Sequence, residues 1–106
     1  MKLSDLQALG AFADDSRAVR KDVTWKDVNG NSITVDVSIR RLSVADNERL
    51  TRKAEEKNAS YAAVIISELV LFDGERISYE DAMRLDEVFA EALVKAIVEA
   101  RQTEKN

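Results

Sequence analysis

The sequence predicts an α+β domain, with a short N-terminal helix and a β-hairpin packed on a bundle of three to four α-helices. Three observations carry that expectation. Residues 33–40 alternate strictly, with Ile33, Val35, Val37 and Ile39 on one side and Thr34, Asp36, Ser38 and Arg40 on the other. The preceding Asn29-Gly30-Asn31 supplies residues that tolerate positive φ, as a tight hairpin needs. Beyond Leu42, helix-start residues at Ser43, Ser78 and Asp86 each precede apolar residues at helical spacing. At 106 residues the chain is one domain, long enough to bury roughly 65% of its unfolded surface. Its expected parts are a short helix and linker (1–19), the hairpin (20–42), a helical part (43–101) and a frayed tail (102–106).

The first helix is read from "LSDLQALGAF", with Ser4 as N-cap and Leu6, Leu9 and Phe12 sharing a face. Gly10 weakens its end. The first strand starts near Arg20, with Val23 and Trp25 on one face and Thr24 and Lys26 on the other. A ribbon with one apolar and one wet face needs helices beneath it, and its bare edges are templates for a further strand. Self-association or strand addition to a partner is therefore expected. Ser43 and Asp46 open a charged helix with a narrow apolar stripe at Val44, Ala45, Leu50 and Ala54, ending near Lys57 and Asn58.

"SYAAVIISELVLF" reads as one helix, apolar over most of its circumference. Such a helix is covered on several sides, by its own domain or by a partner. "DGE" then turns the chain, and Ser78 with Asp81 caps "YEDAMRL". After a break at Leu85–Asp86, the last helix runs to about Arg101. Val88, Phe89, Ala92, Leu93, Ala96, Ile97 and Ala100 form its apolar side, and Glu91, Lys95 and Glu99 its wet side.

Chemistry is sparse. With no cysteine and no histidine, the chain has no disulfide framework, none of the common zinc sites and no imidazole base. Asp14 and Asp15 lack further oxygen ligands at loop spacing, and "DGERISYED" lacks the alternating ligands of a calcium loop. Adjacent acids at Glu80–Asp81 and Asp86–Glu87 sit at helix starts, where the helix dipole accounts for them. No nucleophile elbow and no phosphate-cradling glycine loop occurs. The expectation is a non-enzymatic protein without cofactor or metal. A net charge of −4 argues against nonspecific nucleic-acid binding. Arg40, Arg41, Arg49, Arg52 and Lys53 leave a second reading open, a small DNA-binding regulator using the hairpin and Arg40/Arg41, although Asp46, Glu48, Glu55 and Glu56 interrupt them. No apolar run approaches the length of a membrane helix, and "MKLSDLQALG" lacks the uninterrupted apolar core of a signal peptide.

The order of elements resembles a known family. "DVTW", a tight turn, "ITVDVSIRRLSVAD", a charged helix, "AAVIISELVLFDGERISYEDAMRL" and "VFAEALVKAIVEA" succeed one another as in the tail assembly chaperones of long-tailed bacteriophages and their prophage relatives. The Arg-Arg-Leu-Ser junction, the Asp-Gly turn and the Ser-x-Glu-Asp-Ala cap carry the resemblance, over roughly residues 5–101. It implies a protein that binds the tape measure protein and keeps it soluble until tail-tube subunits assemble around it. It implies work in the host cytoplasm and absence from the mature virion. A longer frameshifted form that recruits the tail tube protein is found in many members, and this chain would be the short form. Another phage morphogenesis factor is the remaining alternative. No family residue set transfers as a site. From the apolar excess on the 61–72 segment, Val64, Leu71 and Phe72 are the candidate partner contacts, and a homo-oligomer is expected.

Overall fold

The computed structural model describes residues 1–103. The elements run α1 (Leu3–Ala8), a 3₁₀ turn (Asp15–Arg17), β1 (Val19–Lys26), β2 (Ser32–Ile39), α2 (Val44–Ala54), α3 (Tyr61–Leu69), β3 (Val70–Phe72), β4 (Glu75–Arg76), α4 (Tyr79–Met83) and α5 (Glu87–Thr103). The protein is thus mixed α+β, with a four-stranded antiparallel sheet in the order β1-β2-β3-β4. Two of those strands, β3 and β4, interrupt the expected helical part.

The hairpin forms as its alternation requires. Val23 lies opposite Val35, Lys21 opposite Val37 and Trp25 opposite Ile33, on the face turned to the helices. Asp27 builds the turn: its carboxylate accepts from the backbone N–H of Asn29 and Asn31, each at 2.9 Å. Gly30 takes φ +82°, the left-handed conformation that glycine adopts without a Cβ penalty.

The expected long helix ends early. α3 stops at Leu69, and Val70 and Leu71 pair with Ile39 and Ser38 of β2. The physical reason is the Asp73-Gly74 turn. Both residues have positive φ, +53° and +83°, which is the two-residue hairpin geometry of a type I′ turn. Flanking strands must then pair, and β-branched Val70 starts the first of them. β2 supplies a second anchor, as the Arg40 N–H donates to the Leu69 carbonyl at 2.7 Å.

Caps fix the helices. The Ser43, Ser60 and Ser78 hydroxyls accept from the backbone N–H of Asp46, Ala63 and Asp81 at 3.1–3.2 Å. The Asp86 carboxylate accepts from Val88 and Phe89 N–H at the start of α5. Ser4 is not the cap of α1. The N-cap is Lys2, two residues earlier, and its backbone N–H donates to the Asp5 carboxylate at 2.9 Å. α5 continues through Thr103, so the tail expected to fray from residue 102 starts within a helix, and residues 104–106 lie outside the described residues.

The core is built mainly by β1, β2, β3, α3 and α5. Val37, Val64, Ile66, Leu69, Val70 and Leu93 are its most deeply buried large side chains, each worth about 1.5–3 kcal/mol over an exposed position. α5 lies along β1 in the opposite direction. The Phe89 ring sits 5.0 Å from that of Trp25, and Glu99 pairs with Lys21 at 3.9 Å. Val88, expected on the apolar side of α5, is about half exposed. α1 contributes nothing to the core, as it has no buried residue. The radius of gyration is 15.1 Å, longer than the ~13 Å of a compact chain this size.

Candidate functional site

The three predicted contacts are not gathered on one surface. Val64, on α3, is 1% exposed and belongs to the core. Leu71 is 5% exposed and, by strand alternation, faces away from Val70, on the side of Ser38 and Arg76. Phe72 is half-buried, with its ring 6.4 Å from that of Phe89. In this structure Phe72 alone of the three keeps much area to offer.

Arg40, the first of the arginines that suggested a nucleic-acid surface, has internal partners. Its side chain is 10% exposed. Its Nε donates to Asp15 Oδ1 at 2.7 Å and its NH1 to the Glu68 carbonyl at 2.6 Å, while NH2 lies 3.5 Å from Asp46 Oδ2. Five donors in a fixed fork suit this role of tying the strand exit to α3, α2 and the N-terminal linker. Asp15, one half of the Asp14–Asp15 pair weighed as metal ligands, is Arg40's partner. Among the described residues no group of three or more His, Cys, Asp or Glu could hold a metal ion.

Sequence reasoning missed Glu68. It lies inside the most apolar segment and its side chain is 5% exposed, yet it binds three cations: Arg49 at 3.0 Å, Lys53 at 3.1 Å and Arg76 at 3.5 Å. Burial pushes the Glu68 carboxyl up, but the hydrogen bonds and charges of Arg49 and Lys53 outweigh this and hold it below its usual range. Burial likewise pushes Asp46 up, and the Ser43 hydrogen bonds with Arg49 and Arg40 bring it below its ordinary value. The Glu68 hydrogen bond and charge raise Arg49 in turn. A lone acid in an apolar run facing basic residues on the preceding helix was the available signal. One carboxylate holds cations from α2 and β4, so the cluster is a clamp between α2, α3 and β4.

Two features of the surface remain open to a partner. The first is a groove of about 430 Å³ between α2, α3 and α5, floored by Leu50, Ile65, Leu69 and Ile97. Tyr61 and Val98 stand at its margins, 62% and 48% exposed. The second is α1 and the residues around it, where Met1, Leu3, Leu9 and Phe12 are each at least half exposed. Apolar side chains grouped in this way suit reversible contact with another apolar segment. Among the described residues, no helix is long and apolar enough to cross a membrane.

A family model described as phage tail assembly chaperone, TAC, matches residues 4–101. Neither the curated proteins nor the solved structures compared with the chain gave a match.

Proposed function

Because the chain belongs to the phage tail assembly chaperone family, we propose that it binds the tape measure protein and keeps it soluble during tail assembly, without catalysing a reaction. The observation that carries this reading is the extent of the match, which takes in every strand and nearly all of every helix. The work is done in the host cytoplasm, and the protein does not stay in the mature virion. A longer frameshifted form would bring the tail tube protein to the same complex.

The contact surface we propose is the groove between α2, α3 and α5, with α1 as a second apolar element. A long helical client offers side chains at i, i+3, i+4 and i+7, and an apolar groove between helices accepts such a stripe. Phe72 is kept as a candidate contact. Val64 and Leu71 are buried and would reach a client only if the domain opened.

Co-expression tests the function. The tape measure protein alone is expected in the insoluble fraction, and with this chain in the soluble fraction and co-purifying with it. Unchanged solubility with no co-purification overturns the reading. Tyr61→Ser with Val98→Ser tests the surface: client solubility should fall while the melting temperature stays within a few degrees, because both side chains already face water in large part.

A further inference from the structure

β1 lies at the end of the sheet, so among the described residues one of its sides has no strand beside it. The hairpin fixes which backbone groups point that way. The Asp27 N–H donates to the Asn31 carbonyl, and the register places Lys26 opposite Ser32. Hydrogen-bonded pairs alternate along an antiparallel ribbon. The odd-numbered residues of β1 therefore bond to β2, and the N–H and C=O of Arg20, Asp22, Thr24 and Lys26 point to the open edge.

The sequence of that edge is self-complementary. "KDVTWKD", residues 21–27, reads outward from Thr24 as Val23 against Trp25, Asp22 against Lys26 and Lys21 against Asp27. Two strands running antiparallel about a two-fold axis through Thr24 set these residues opposite each other. Other centres pair less well: an axis through Val23 opposes Arg20 and Lys26, those through Asp22, Lys21 and Lys26 oppose a charge to itself, and one through Trp25 joins no opposite charges, setting Lys26 against Thr24 and Asp27 against Val23. The Thr24 axis also meets the backbone requirement, because Thr24, Asp22 and Lys26 are the residues whose N–H and C=O point outward.

We propose that β1 pairs with β1 of a second copy of this chain about Thr24, joining two four-stranded sheets into one of eight strands. The Thr24–Thr24, Asp22–Lys26 and Lys26–Asp22 pairs each exchange backbone hydrogen bonds, and on the wet face the Asp22 carboxylates meet the Lys26 ammonium groups. On the helix-facing side Val23 meets Trp25, whose buried indole N–H has no hydrogen-bond partner among the described residues. The axis also brings the two α5 helices alongside each other in opposite directions. The side of α5 that bears Glu99 carries Val88, Ala92 and Lys95 at helical steps. The pairing does not depend on a client: it is a property of the chain alone.

Charge exchange tests it. The wild-type chain should be a dimer by light scattering at about 100 µM and dissociate on dilution. Trp25, the single tryptophan, should report the same transition by fluorescence. Asp22→Lys sets lysine against lysine and Lys26→Asp sets acid against acid, so each should weaken the dimer by about tenfold or more. The double variant restores opposite charges and should return to within about threefold of wild type. Circular dichroism and melting of the same variants separate lost pairing from lost folding. A monomeric wild type, a dimer indifferent to the single reversals, or a double variant no better than the singles overturns the proposal.

Discussion

α3 and α1 both carry branched aliphatic side chains at helical spacing, but from Ala63 to Leu69 every residue of α3 is buried, whereas no residue of α1 is. The difference lies in how each helix connects to the sheet. α3 runs directly into β3, so pairing of Val70 and Leu71 with β2 fixes its end against the sheet, while α2, α4 and α5 close around it. α1 is succeeded by Gly10 at φ +81° and a polar stretch that reaches the sheet only at Val19. Apolar content therefore marks a segment as needing cover, and chain connectivity decides whether the domain supplies it. The proposed partner surface accordingly lies where connectivity leaves apolar groups bare, at α1 and the margins of the α2–α3–α5 groove.

The largest expected effect comes from attacking the covered helix. Ile66→Ala, or Leu93→Ala on the facing helix, removes side chains that are 1% and 0% exposed. Each should cost about 2–5 kcal/mol, a large share of the ~5–15 kcal/mol total of an ordinary domain. Chemical denaturation measures this directly. A loss below about 1 kcal/mol would mean that α3 is not locked in place.

A smaller effect is expected from the clamp behind it. Glu68→Gln keeps the shape and removes the charge that Arg49, Lys53 and Arg76 share. These cations are 41–46% exposed on their side chains, so they regain water when released, and the cost at pH 7 should be about 1–3 kcal/mol, below that of a fully buried pair. The sign of the pH dependence comes from the lowered carboxyl. Glu68 stabilises fully above the unfolded glutamate value of about 4.3, and that contribution is lost as pH falls through its lower folded value. The gap between wild type and Glu68→Gln should therefore close on acidification, as measured by denaturant melts at pH 7 and near pH 3. Equal gaps at both values would show that the charge is not what the clamp uses.

Much of this fold was legible because local rules and tertiary structure agree. Ser43, Ser78 and Asp86 act as caps, and the 33–39 alternation sorts Val37 and Ile39 into the core. The rest failed where a long-range partner decides. Val70-Leu71-Phe72 continues the helical apolar pattern, and only β2, some thirty residues earlier, makes it a strand. Asp73-Gly74 held the missing signal, as a two-residue turn between short runs suited to strands. The candidate contacts rested on the same helical reading. Placing Val64 and Leu71 on one helix suggested surplus apolar surface, whereas the strand at Val70 puts Leu71 on the opposite side of the sheet. Arg40 was legible as a polar exit from the strand, but its three acceptors come from the linker, α2 and α3, and no local pattern brings those together.

The smallest expected effect on stability is at the bare helix. Leu3→Ser with Leu9→Ser changes side chains that are 70% and 69% exposed, so little apolar area returns to water on unfolding and ΔG should shift by less than about 0.5 kcal/mol. The same pair of changes should lower the fraction of soluble tape measure protein on co-expression, because those leucines have no work in the fold. The two readouts separate here, whereas Ile66→Ala costs stability first and client binding only through it. A double serine variant that melts several degrees lower would show that α1 is covered in solution, and the contrast with α3 would then be one of degree. A variant with unchanged melting and unchanged client solubility would move the contact to the groove alone, where Tyr61 and Val98 become the decisive pair.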